Sequence, residues 1–381
     1  MTAGPMPDGI ASGALDEDTR IMAAALEFGR RGWGQVAPNP AVGALLVKDG
    51  IVVGRGHTKK GGRPHAETEA LLRAGPTAAG ATLYVTLEPC SHHGKTPPCA
   101  EAIITAGVIR VVSAIEDPDP RVAGRGHRLL RDAGIEVRTG ILAEAARRAN
   151  LGHILRVTAG RPMVTLKLAQ TADGFAAAQD HAPRLAITGP AANSRVHLWR
   201  AQHDAIMVGI GTVLADDPLL NVRLTGVETR RPLRVVLDTK LALPPDSQLA
   251  RTARDFPTLV IAGENTPEAA ATRLGACGIE VTRVREDAAG RIDLAAALTA
   301  LGARGLTRVF SEGGPRVAAG LIAGGFADEV VVLTSDKQLA TPGVPALDAA
   351  SRAALSDSRL YRETASTRLG LDLCQHYERQ L

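Results

Sequence analysis

His65-Ala66-Glu67 is followed along the chain by Pro89-Cys90 and then by Cys99. An imidazole, two thiols and a carboxylate two residues from the imidazole are the parts of a hydrolytic zinc centre. Cysteine binds zinc as thiolate and histidine as neutral imidazole, so His65, Cys90 and Cys99 are the expected metal ligands. A structural site closes with a fourth protein ligand. A catalytic site leaves that position to water, whose pKa the metal lowers toward neutrality. Glu67 is then expected to be catalytic, carrying protons from that water to a leaving amine. His92 and His93 also lie between the cysteines, so a closed four-ligand site is the alternative. It leaves Glu67 without a task.

These residues need elements to bring them together. Ala81 to Leu87 (ATLYVTL) reads as a buried strand that runs directly into Pro89-Cys90. His65 to Leu72 opens a helical pattern, and Cys99 to Ile104 opens another after Pro97-Pro98. The helix dipole stabilises thiolates at helix starts, and open α/β sheets carry their sites at strand ends. Upstream, Thr19 to Arg30 places Ile21, Met22, Ala25 and Leu26 on one helical face. Ala44 to Val47 and Ile51 to Val53 flank Lys48-Asp49-Gly50, a hairpin signal. A strand over Val108 to Ile115 and a helix near His127 to Ala133 complete a mixed sheet with helices on both faces. The helical stretch Ala143 to Thr158 must stop at Gly160-Arg161-Pro162. The expected organisation is a flexible tail over 1–16, a zinc-dependent deaminase domain over 17–160 and a second domain over 161–381.

The second domain alternates strands with helical patterns, which indicates α/β architecture. Strands are expected at Met163 to Ala169, Ala205 to Val208, Leu233 to Leu237, Thr258 to Ala262, Glu280 to Val284, Arg308 to Ser311 and Glu329 to Leu333. No G-x-G-x-x-G fingerprint follows the first of them, which disfavours an ordinary Rossmann dehydrogenase. Ser311 to Gly320 (SEGGPRVAAG) instead joins a strand to a helix, and its start could bind a phosphate or simply turn the chain. Val164, Leu166 and Leu168 share one face of the first strand, leaving Lys167 on the other, where a cleft would let it meet a phosphate or hydroxyl.

PCSHHGKTPPC (Pro89 to Cys99), with APNPAVG (Ala37 to Gly43) and His65-Ala66-Glu67, resembles the bifunctional riboflavin-biosynthesis deaminase/reductases. Eight residues separate the cysteines, as in that family, where general zinc deaminases have two. The resemblance implies a cytidine-deaminase-like three-layer α/β/α domain followed by a dihydrofolate-reductase-like α/β domain using NADPH. It implies hydrolytic deamination of 2,5-diamino-6-ribosylamino-4(3H)-pyrimidinone 5′-phosphate, then reduction of the ribosyl group to a ribityl chain. Asn39, His92 and Lys95 are the substrate residues it suggests in the first domain. In the second it suggests Arg184, Arg200, Leu220, Arg223 and Glu312 for substrate. Along NADPH it suggests Ala169, Ala186, Thr188, Thr212, Asp216, Thr239 and the run Gly314, Pro315, Arg316, Val317, Ala318, Ala319, Gly320. Two departures stand out. Ala186 occupies a position where many relatives carry tryptophan, and the Phe175 to Leu185 loop is one residue longer.

Composition sets further limits. The 381 residues exceed a single core, and a net charge of +4 suits phosphorylated ligands without indicating nucleic acid. Aromatic residues are 3%, too few for single-strand stacking platforms. No apolar run is long enough for a membrane helix, and the first residues do not read as a signal peptide. Four cysteines, two of them committed to metal, fit a reducing cytoplasm, with Cys277 and Cys374 as plain buried thiols. The expected partner is a phosphorylated pyrimidine, not nucleic acid or membrane, and the expected assembly is a homo-oligomer, dimer or tetramer.

Overall fold

A computed structural model describes residues 16–92, 97–120, 122–178, 186–339 and 341–380, in two compact units divided between Gly160 and Arg161. The first contains α1 (Glu17–Gly29), β1 (Gly43–Lys48), β2 (Ile51–His57), α2 (Ala66–Ala74), β3 (Thr82–Val85), α3 (Cys99–Thr105), β4 (Arg110–Ser113), α4 (Arg125–Asp132), β5 (Glu136–Thr139), α5 (Ala143–Ala149) and α6 (Leu151–Ala159). The sheet order is β2-β1-β3-β4-β5, with β1 antiparallel to β2 and β3 and the remaining pairs parallel. Asp49 and Gly50 close the β1–β2 hairpin with φ of 50° and 74°, the left-handed pair that a tight hairpin requires.

Successive strand residues point to opposite faces. A Cβ on Gly43 would lie 1.9 Å from the Ala25 carbonyl oxygen of α1, while one on Gly56 would lie 2.0 Å from that of Ala66 in α2. Gly43 pairs with His57 and Gly56 with Ala44, so α1 and α2 cover opposite faces of the sheet. Met22, Leu46, Leu83 and Ile103 are fully buried in the core between these layers. Near the start of α1, the buried Asp18 accepts from Tyr84 Oη at 2.7 Å, from Arg110 at 2.9 and 2.7 Å and from Arg138 at 2.6 Å. That cluster ties α1 to β3, β4 and β5.

The second unit contains β6 (Met163–Gln170), β7 (Phe175–Ala177), α7 (Pro190–Ala201), β8 (Ala205–Gly209), α8 (Ile210–Asp216), β9 (Leu233–Leu237), α9 (Gln248–Arg251), β10 (Thr258–Gly263) and α10 (Glu268–Ala276). It continues with β11 (Glu280–Val284), α11 (Leu294–Ala303), β12 (Arg308–Ser311), α12 (Pro315–Ala323), β13 (Glu329–Thr334), β14 (Val344–Pro345), α13 (Ala349–Ser356), β15 (Tyr361–Leu369) and β16 (Asp372–Arg379). Its main sheet runs β11-β10-β9-β8-β12-β6-β13-β16-β15, parallel from β11 to β13 and antiparallel beyond. From β8 the chain builds outward to β11, whereas β12 returns to the centre. The carboxyl ends of β8, β12 and β6 therefore flank a topological switch point.

The expected core strands are present, and the differences fall at the margins. The sequence reading has no strand at β5, β7, β14, β15 or β16. β5 and β15 are sheet edges and expose most of their residues, so they lack apolar alternation. The single helix expected over Ala143 to Thr158 is two, broken at Asn150, whose Nδ2 donates to the Ala146 carbonyl at 3.1 Å. Cys374 is buried, but Cys277 is only half so. Of the expected tail, residues 1–15 lie outside the described residues; Asp16 caps α1, accepting from the Thr19 amide at 2.8 Å.

Candidate functional site

His65 is the N-cap of α2, extended at φ −68° and ψ 162°, and its ring makes no cap hydrogen bond, so it is free to face elsewhere. Cys99 is the first residue of α3, and its amide donates to Cys90 Sγ at 3.3 Å; the next amide, of Ala100, donates to the Cys90 carbonyl at 3.2 Å. The start of α3 is thus seated on the turn that follows β3. His65 Nδ1 lies 3.7 Å from Cys90 Sγ and 3.4 Å from Cys99 Sγ, and the three ligand atoms are within 4.8 Å of one another. A tetrahedral zinc with ordinary bond lengths separates its sulfur and nitrogen ligands by roughly 3.6 Å. The donor set fits that metal in chemistry and spacing. The charge pattern agrees: Cys99 and the imidazole bring the Cys90 thiol down to about 4, while the neighbouring Cys90 thiolate and burial push the Cys99 thiol up. Two crowded thiols sharing one proton make a site suited to a cation.

Glu67, the second residue of α2, is buried but does not contribute one of the mutually close ligand atoms. Burial, and then the Cys90 thiolate, push its carboxyl up to about 7, against the pull of His65. Such a group can both take and return a proton near neutral pH. Asn39 reaches the same place from the α1–β1 connection. Its Nδ2 donates to the Gly62 carbonyl at 3.0 Å and lies 3.4 Å from His65 Nε2. His92 does not join the ligand cluster and lines a neighbouring groove, and Lys95 lies outside the described residues.

In the second unit, Arg200 of α7 and Glu312, which follows β12, form a two-pronged pair at 2.5 and 3.0 Å, and Arg200 Nη1 also donates to the Asn221 carbonyl at 3.0 Å. Burial acts against the Glu312 charge, yet Arg200 and then Lys167 hold its carboxyl below the usual range. Arg223 stands close enough for burial and the charge of Arg200 to lower it, and its amide donates to His197 Nδ1 at 3.2 Å. Lys167, half-buried on β6 opposite the core-facing Val164, Leu166 and Leu168, completes this charged cluster. Leu220 is buried with φ 45°, and Arg184 lies outside the described residues.

The residues expected along NADPH fall at or after the ends of β6, β8, β9 and β12 and just before α7. The three helices α7, α8 and α12 each start after a glycine, Gly189, Gly209 or Gly314, and none has a side-chain cap. Uncapped helix starts leave backbone donors of the kind that bind phosphate; the Gly189 amide is already taken by Asp372 Oδ2 at 2.8 Å, which leaves the starts of α8 and α12 to meet a cofactor's phosphates. Thr212 faces Gly314, its hydroxyl 3.7 Å from where a Cβ would stand. The first turn of α12, from Pro315 through Arg316 to Val317, begins here; Ala318 is buried in the core and Gly320 packs toward Leu294, with Ala319 half-buried between them. Thr188 Oγ1 donates to Asn193 Oδ1 at 2.8 Å, and Thr239 Oγ1 accepts from the Ile292 amide at 3.3 Å. Ala169 is half-buried near the end of β6, and Asp216 closes α8. Ala186 is exposed and its carbonyl accepts from Lys337 Nζ.

Several functional neighbours escape the sequence reading. Glu88, one residue before Pro89, is buried and accepts from the amides of Asp117, Gly124, Gly126 and His127 at 2.8–3.3 Å. Arg234 is fully buried in β9, with one Nη1 bond of 3.1 Å to the Leu219 carbonyl that helps fix the turn carrying Leu220. A lone charge inside LRVVL was its available signal. For His197 and Asn221 the sequence carries none.

The family model for the cytidine and deoxycytidylate deaminase zinc-binding region matches residues 15–115, and that for the RibD C-terminal domain matches 162–339. The chain is 36% identical to the riboflavin biosynthesis protein RibD of Escherichia coli, over 94% of this chain and 99% of that protein. It is 38% identical to RibD of Aquifex aeolicus, over 95% and 98%. Among solved structures it is similar to Acinetobacter baumannii RibD, with a TM-score of 0.83 at 34% identity over 96% and 99% of the two chains. It is also similar to the diaminohydroxyphosphoribosylaminopyrimidine deaminase/5-amino-6-(5-phosphoribosylamino)uracil reductase of Thermotoga maritima, with a TM-score of 0.80 at 32% identity over 95% and 99%.

Proposed function

The chain belongs to the RibD family of riboflavin biosynthesis proteins, bifunctional deaminase/reductases that use zinc and NADPH, and from that premise we propose how its own residues divide the work. The first unit, 17–160, deaminates 2,5-diamino-6-ribosylamino-4(3H)-pyrimidinone 5′-phosphate at ring position 2. The second, 161–381, reduces the ribosyl side chain of the product to give 5-amino-6-ribitylamino-2,4-pyrimidinedione 5′-phosphate.

His65 Nδ1 and the sulfurs of Cys90 and Cys99 hold the zinc, which when bound makes water nucleophilic near neutral pH. A Glu67 carboxylate oxygen takes the proton from the attacking water and delivers it to the departing amine nitrogen. Asn39 steadies the pyrimidine with its amide, His92 and Lys95 contact the substrate, and ammonia leaves. The observation that carries this reading is the convergence of one imidazole and two thiol ligands with a buried carboxyl brought up to about 7.

In the second unit NADPH supplies the hydride. Glu312, kept ionised by Arg200, accepts from substrate hydroxyls, while Lys167, Arg184, Arg200 and Arg223 face the phosphate and the sugar, and Leu220 packs against the substrate. The uncapped starts of α8 and α12, together with Thr188, Thr212, Asp216 and Thr239 and with Ala169 and Ala186 flanking, receive the cofactor. Ala318, Ala319 and Gly320 contribute through the α12 backbone. Among the described residues no helix is long and apolar enough to cross a membrane, and all four cysteines are free. A cytoplasmic homo-oligomer is part of this reading, and light scattering tests the assembly.

Incubating the zinc-loaded protein with the diaminopyrimidinone phosphate, followed by mass spectrometry, tests the assignment. The deaminated ribosyl compound should form without NADPH and the ribityl compound with it. Unchanged substrate from a zinc-loaded preparation would refute it.

A further inference from the structure

Beside the ligand-bearing turn, the deaminase unit carries a groove of about 290 Å³ lined by Ser91, His92, Val122, Arg125, Arg128, Leu129 and Asp132. Ser91 and His92 directly follow Cys90, so the groove begins where the ligand set ends. Its other wall is α4. Neither Arg125 nor Arg128 makes a side-chain hydrogen bond or ion pair among the described residues, and both are exposed. Asp132 is the one acid in the lining, four residues along the helix from Arg128, and no ion pair joins them.

What separates this wall from ordinary surface arginines is how rigidly it is registered to the metal-ligating turn. Both Glu88 oxygens bind the start of α4: Oε2 accepts from Gly124 at 2.9 Å, and Oε1 from Gly126 at 2.8 Å and His127 at 3.3 Å. Arg125 sits between those two glycines. A Cβ on Gly126 would lie 2.0 Å from the Pro89 carbonyl oxygen, so the helix rests directly on the residue before Cys90. The backbone positions of Arg125 and Arg128 are therefore carried at a fixed offset from the ligand-bearing turn.

We infer that this groove is the anionic subsite of the deaminase, with Arg125 and Arg128 receiving the 5′-phosphate of the substrate while Ser91 and His92 line the path from the ligand set. The inference rests on the deaminase reading above. At 290 Å³ the groove is at the lower limit of small-molecule pockets, the size for one end of a nucleotide and not the whole. Arginine suits the task, because its planar fork matches phosphate oxygens.

The test compares deamination of the phosphorylated substrate with that of its 5′-dephosphorylated riboside, using the full-length zinc-loaded protein. Arg128→Ala alters an exposed helix residue and should leave folding and zinc content intact. It should lower kcat/KM for the phosphorylated substrate on the order of tenfold or more, the effect of losing one charge-assisted contact, with the riboside changed less than about twofold. Arg128→Glu should be worse for the phosphorylated substrate alone. Inorganic phosphate should compete with the phosphorylated substrate in the wild type, leave riboside turnover unaffected, and compete less well in Arg128→Ala. Equal effects on both substrates, no effect on either, or undiminished phosphate inhibition would overturn the subsite. Failure of the wild type to deaminate either compound would instead overturn the deaminase reading on which it rests.

Discussion

Arg200→Ala removes the cation from a pair whose side chains are only 12% and 11% exposed. The deletion breaks two contacts to Glu312 and one to the Asn221 carbonyl, leaving a carboxylate in a site built for a partner. Breaking a buried pair from one side costs about 3–5 kcal/mol, a large part of the stability of an ordinary domain. The pH dependence is more diagnostic than the size. In the wild type the Glu312 carboxyl is held low, so its contribution is present above the unfolded value of about 4.3 and is lost as pH falls through the folded value. Without Arg200 the largest pull holding Glu312 low is gone while burial still acts against its charge, so its folded pKa rises. The stabilisation that Glu312 contributes above the unfolded value shrinks with it, so the substitution costs most near neutral pH. Denaturant unfolding followed by Trp199 fluorescence, in a Trp33→Phe background that silences the other of two tryptophans, reads this unit alone. The loss should approach 3–5 kcal/mol near neutral pH and be smaller at about pH 4.5. A loss under about 1 kcal/mol, or one equal at both pH values, would refute the argument. Reduction should fall with stability while deamination stays at its wild-type rate.

Cys99→Ser should lose zinc and deamination together while reduction of the deaminated compound persists, because a hydroxyl is a poor replacement for thiolate; metal analysis and ammonia release check it. Glu67→Gln should retain about one zinc per chain yet lose deamination by roughly a hundredfold or more, since the amide cannot relay a proton; loss of zinc would make Glu67 a ligand or its support. Lys167→Ala should slow reduction on the order of ten- to a hundredfold with deamination unchanged, so that with NADPH present the deaminated ribosyl compound accumulates. Normal NADPH oxidation by a folded Lys167→Ala variant would make Lys167 an ordinary strand residue.

The local chemistry of this chain is written along it. His65, Glu67, Cys90 and Cys99 sit at the junctions of patterned segments, so residue type and the change of period suffice to point to the ligand set. Lys167 stands on the polar side of an alternating strand, and β10 and β13 are legible as apolar runs, because central parallel strands are apolar on both faces. The edge strands β5 and β15 escaped for the opposite reason: they are held by neighbours and need no alternation of their own. Only the tertiary structure decided which distant side chains meet. Arg200 and Glu312 are 112 residues apart and pair because α7 and the end of β12 flank one switch point. Glu88 reads as one more acid before a Pro-Cys turn, yet the fold aims four backbone amides at it and so fixes α4, Arg125 and Arg128 beside the metal ligands. Periodicity reports which way a residue faces, because that is set by its own backbone. The identity of the partner it faces is set by long-range packing, which no local pattern encodes.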